Sequence, residues 1–69
     1  MPITYVEEGK TVQIQKITGK GKLRSHLANM GFVEKGNITV IQRVAGNMIL
    51  EVKGTRVAID EALANRIMV

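Results

Sequence analysis

The sequence predicts a small, mainly β barrel of about five short strands, with one short helix inserted after the first strand and a helical turn before the last. Three observations lead there. Apolar residues take helical spacing over residues 22–30, where Leu23, Leu27 and Met30 fall at i, i+4 and i+7 on one face. Elsewhere they come in short, largely alternating runs punctuated by Gly and Asn. Strands this few cannot build a two-sheet sandwich, whereas closing them on themselves removes the bare edges that invite aggregation.

Residues 4–9 read as a lead-in, and Glu7, Glu8, Gly9 and Lys10 as a turn. Residues 11–17 (TVQIQKI) alternate apolar and polar through Ile14, as a half-buried strand does; Ile17 breaks the pattern and implies a bulge or a strand end. Thr18, Gly19, Lys20 and Gly21 form a flexible connector into the helix. Gly31 stops that helix, because a residue without Cβ enters the left-handed region freely, and Phe32 is expected to fold back onto the last turn. Residues 32–37 form a turn and residues 38–44 a second strand. Ala45, Gly46 and Asn47 make a hairpin turn in which Gly46 and Asn47 are expected to carry the positive φ. Residues 48–53 form a third strand, with Met48, Leu50 and Val52 inward and Glu51 and Lys53 outward. Gly54 and Thr55 turn into a fourth strand at residues 56–59. Asp60 is placed to cap a helical turn over residues 61–65, and residues 66–69 close the chain as a strand.

A chain of 69 residues makes one domain, residues 1–69, and buries only about 60% of its unfolded surface, so its core must pack well. Cys is absent, which removes disulfides and thiolate metal sites. The first residues lack the basic and apolar regions of a signal peptide, and no apolar run exceeds three residues, against about 20 for a membrane-spanning helix. The expectation is a cytoplasmic protein with no membrane insertion. Ten Lys and Arg against six Asp and Glu give a net charge of +4, suited to an acidic partner surface, a nucleic acid or an anionic membrane face, or simply to solubility. Tyr5 and Phe32 are the only aromatics, too few for a base-stacking platform or a polyproline groove.

No residue set is equipped for a reaction. His26 is the only imidazole, and neighbouring Ser25 points about 100° away from it on a helix. The carboxylates Glu7, Glu8, Glu34, Glu51, Asp60 and Glu61 offer no spacing that gathers ligands around a metal, and Asp60 and Glu61 are explained by capping. Met30 and Met48 sit at core-patterned positions rather than as thioether ligands. Gly19, Lys20, Gly21 and Lys22 lack the spacing of a phosphate-binding loop. Hence no catalytic residue, no metal site and no cofactor is expected. Lys16, Lys20, Lys22 and Arg24 form the one dense basic cluster, able to make a single positive patch if the connector folds against the first strand.

The block Leu27-Ala28-Asn29-Met30-Gly31-Phe32-Val33, then Ile38-Thr39-Val40, then Val52-Lys53-Gly54-Thr55-Arg56-Val57-Ala58-Ile59 and the end Ala64-Asn65-Arg66-Ile67-Met68-Val69, resembles the FeoA (ferrous iron transport protein A) family. The resemblance implies an SH3-like barrel with an inserted helix. It further implies a small cytosolic accessory protein, not an enzyme, that docks on a membrane ferrous iron permease carrying a GTP-binding domain. Similar domains end certain metal-dependent repressors. Leu27, Met30, Gly31 and Phe32 match the family's helix–Gly element, and Gly54 its strand–Gly–strand element; core packing is the favoured role for Leu27 and Phe32. Three places depart from the family pattern. Glu34-Lys35-Gly36 stands where Pro-Gly is usual, Ala45-Gly46-Asn47 replaces a Gly-Asp-Pro-like turn, and Ile59-Asp60 replaces Leu-Arg. The docking surface is expected on the helix's exposed side and its flanking loop, at Lys20, Lys22, Arg24, His26 and Asn29. Two rival readings are a nucleic-acid-binding basic barrel and a stand-alone metal-responsive regulatory module.

Overall fold

The computed structural model describes residues 1–69. A 3-10 turn (Ile3–Tyr5) precedes β1 (Thr11–Gln13), β2 (Lys16–Ile17), α1 (Lys22–Asn29), β3 (Asn37–Val44), β4 (Asn47–Val52), β5 (Thr55–Asp60), α2 (Glu61–Ala64) and β6 (Ile67–Met68). One antiparallel sheet has the order β1-β3-β4-β5, and β2 pairs with β6 in a second, two-stranded ribbon. Between them lie 14 buried side chains, all apolar, from Ile3 to Ile67. This is the SH3-like barrel with an inserted helix. No helix is long and apolar enough to cross a membrane.

Two tight hairpins make the β3–β4–β5 meander. Val44 pairs with Asn47 and Val52 with Thr55, so each loop has two residues. Both loop residues are left-handed: Ala45 (φ 50°) with Gly46 (φ 82°), and Lys53 (φ 50°) with Gly54 (φ 76°). Such loops continue the right-handed twist of their strands, and that twist demands positive φ at both positions whatever residue stands there. Asn47, expected in the turn, is therefore the first residue of β4, and Ala45 takes the left-handed place. Lys53 likewise leaves the strand for the turn. A third non-glycine position is left-handed where the resembled family carries Gly: Lys35 has φ 69°, in a turn closed by the Gly36 N–H on the Val33 carbonyl at 3.1 Å. The backbone keeps the turn although the glycine has moved one place along.

The strand expected over residues 11–17 is two strands in two sheets. The Ile14 N–H donates to the Gly36 carbonyl (2.9 Å), yet the next N–H, of Gln15, donates to the Met68 carbonyl (2.8 Å). The barrel thus has six strands, and the chain crosses from sheet to ribbon between adjacent residues.

A bulge between Val40 and Gln42 resets the faces of β3. Beyond it Arg43 lies opposite buried Met48, while Val44 turns outward at 44% exposure. The Arg43 guanidinium donates to the carbonyls of Thr4 and Val6 (2.5 and 2.6 Å), and its backbone N–H donates to the Glu8 carboxylate (2.7 Å). These bonds pin the N-terminal segment, whose Ile3 and Val6 enter the core. The lead-in is a plug, not a tail.

Candidate functional site

Helix α1 owes its end to residues read as a family signature. The Phe32 N–H donates to the Leu27 carbonyl and the Gly31 N–H to the Ala28 carbonyl, both at 3.0 Å, with Gly31 at φ 102°. That is the double closure of a left-handed helix stop, and its usual apolar contact follows, since Leu27 and Phe32 are both fully buried. A Cβ on Gly31 would also stand 3.4 Å from the Val52 side chain. Met30 packs half-buried on the core. Gly54 has open space around it, so it serves only the turn. These five motif residues build the scaffold.

The rest of α1 faces outward. Leu27 is its one buried residue and Leu23 is half-buried; Lys22, Arg24, Ser25, His26, Ala28 and Asn29 are exposed. Lys20 is exposed as well, so all five expected docking residues reach the surface. They do not share one face. At 100° per residue Lys22, His26 and Asn29 fall within about 60° of one another, while Arg24 stands about 160° from His26. Arg24 lies 3.6 Å from the Glu34 carboxylate, beside a pocket of about 190 Å³ that includes Ile17, Ala28, Phe32 and Val33. His26 borders a cleft of about 360 Å³ on the opposite flank, lined by Leu23, Asp60, Ala62, Leu63 and Arg66. The helix therefore has β2 on one flank and the end of β5 with α2 on the other. Lys16 is exposed on β2, opposite Met68.

Asp60 is the cap that the sequence implies: its carboxylate accepts the Leu63 N–H at 2.7 Å. Arg66, in the C-terminal block that carries the family resemblance, joins the site through its tertiary contacts. Its carbonyl accepts from the Thr18 N–H (2.7 Å) and hydroxyl (3.1 Å), which brings the residue against the connector. Its guanidinium has no hydrogen bond or ion pair within the chain. No local pattern marks it, because the approach of residue 66 to residue 18 is a tertiary event. No three His, Asp or Glu side chains gather at one place. Of the two aromatics, Phe32 is core and Tyr5 is 73% exposed.

The FeoA domain model matches residues 1–69, the whole chain. A protein of Methanocaldococcus jannaschii assigned as Fe(2+) transport protein A is 32% identical over 68 residues, 99% of this chain and 83% of that one. The chain belongs to the FeoA family. The crystal structure of an iron uptake regulatory protein, FeoA, superposes with TM-score 0.88 at 31% identity, over 97% of this chain and 89% of the other. FeoA of Stenotrophomonas maltophilia, solved with zinc and described as a prokaryotic SH3 domain protein, gives TM-score 0.86 at 15% identity over 99% and 87%; at that identity the likeness speaks for the fold. The FeoA family is one of transport accessory proteins and not of known enzymes.

Proposed function

We propose that this FeoA-family accessory of ferrous iron transport works by docking, from the cytoplasm, on a membrane ferrous iron permease that carries a GTP-binding domain. The contact surface is the exposed side of α1 and its connector: Lys20, Lys22, His26 and Asn29, with Arg24 on the other flank. The observation that carries this is the use α1 makes of its side chains. One residue anchors the helix in the core, and six of the remaining seven are exposed, where the fold makes little use of them. Exposed cations set beside apolar clefts steer an acidic partner into place and hold it without any covalent step. A single-stranded nucleic-acid reading lacks its stacking platform, since Tyr5 is the only aromatic on the surface.

The test is capture of the permease's cytoplasmic portion by the wild-type chain and by K20E/K22E. The expected result is binding at least about tenfold weaker in the variant, with its unfolding free energy changed by less than about 0.5 kcal/mol, as is usual for surface positions. Undiminished capture by the variant contradicts the reading.

A further inference from the structure

We propose that the cleft between α1 and α2 is a receptor for a short acidic segment of the partner, one that carries an aliphatic side chain between carboxylates. The inference rests on the docking reading for who the partner is, and on the cleft alone for what it accepts.

The cleft has an apolar floor and a cationic rim. Leu23 from α1 and Leu63 from α2 are half-buried, and Ala62 extends the apolar surface. At about 360 Å³ the space takes a branched side chain and its backbone rather than a whole domain. Arg66 and His26 stand in its wall. The Arg66 backbone is tied to Thr18, yet its side chain is left exposed with five N–H donors and no acceptor in the chain. A planar guanidinium so held fits a carboxylate through two parallel hydrogen bonds. The His26 imidazole, also without a partner, offers a further N–H.

The borders are basic too. A Cβ on Gly19 would stand 3.5 Å from the Leu23 side chain and 4.0 Å from the Arg66 Cδ, so the connector at Gly19 borders the cleft beside the Arg66 stem. Lys22 lies one helical turn before His26 on the same flank. The one carboxylate in the wall, Asp60, gives one oxygen to the Leu63 N–H of α2 and is outnumbered by the cations Arg66, Lys20 and Lys22. On balance the site favours negative charge at its rim and a hydrocarbon at its base. Arg24 is excluded from it by its place on the far flank beside Glu34.

The experiment is an NMR titration of the full ¹⁵N-labelled chain with three blocked tripeptides: Glu-Leu-Glu, Gln-Leu-Gln and Glu-Ser-Glu. The expected result is that Glu-Leu-Glu shifts amides of residues 22–27 and 60–66 in a salt-sensitive way. Each of the other peptides binds about tenfold more weakly, as does Glu-Leu-Glu with R66Q, the size of effect that losing one charge-assisted contact or one buried aliphatic group produces. K10Q, remote from the cleft, leaves binding unchanged. Equal binding of all three peptides, shifts centred elsewhere, or full affinity in a folded R66Q overturns the assignment. Permease capture that needs Lys20 and Lys22 but ignores R66Q also overturns it while docking stands. Cleft binding of Glu-Leu-Glu without permease capture supports the receptor and removes the docking reading.

Discussion

The β3–β4–β5 meander and helix α1 solve opposite problems. In the meander alternate side chains point inward and six of them, Ile38, Val40, Met48, Leu50, Val52 and Ile59, are buried, and two-residue loops fix the register. In α1 a single side chain reaches the core, no side chain caps the N-terminus, and the helix is fastened mainly at its C-terminal end by Gly31 and Phe32. The difference teaches where this small domain keeps its stability and where it keeps its surface. A segment held by one buried residue and one cap opens locally at lower free energy than a strand paired along its length. Contact residues are best carried on such a segment, because altering them does not disturb the barrel.

The sharpest way to break this contrast is to remove the anchor. Leu27→Ala is expected to cost about 2–5 kcal/mol in a denaturant titration, as for other fully buried leucines. A loss under about 1 kcal/mol, the scale of surface changes, would mean that α1 is not anchored through Leu27. Arg43→Met comes next. It strips two charge-assisted donors from the Thr4 and Val6 carbonyls and is expected to lower stability by about 2 kcal/mol. In hydrogen exchange that loss should fall on the N-terminal plug and not on α1.

Smaller effects, of opposite sign, are expected at the strained turns. Lys35→Gly and Ala45→Asn each put a residue that tolerates the left-handed region where the chain now holds one that does not, and each should stabilise by about 0.5–1 kcal/mol. A rise in thermal midpoint checks both. Least of all should be Lys22→Glu, with less than about 0.5 kcal/mol in unfolding free energy and its whole effect in partner binding.

Part of this contrast is legible in the residues. The i, i+4, i+7 stripe ending at Gly31 locates α1 to within one residue, and Asp60 announces α2, because caps and helical periodicity are local physics. The break in alternation between Ile14 and Ile17 is legible, but the change of sheet it marks is not, since the partners on either side, Gly36 and Met68, are distant in the chain. Nor is the bulge at Ile41, because an apolar residue there suits either face. The same limit governs the site. Exposure of Lys20, Lys22, Arg24, His26 and Asn29 follows from polarity, and the wheel already sets Arg24 apart from His26. What each flank meets, Glu34 on one side and Arg66 on the other, depends on contacts between residues distant in the chain.

The most direct test of the central claim maps the contact surface itself, by titrating the ¹⁵N-labelled chain with the permease's cytoplasmic portion. The account predicts that amide shifts concentrate at residues 20–29 and 60–66 and spare the β3–β4 hairpin. Shifts centred on that hairpin, with α1 unmoved, would contradict it.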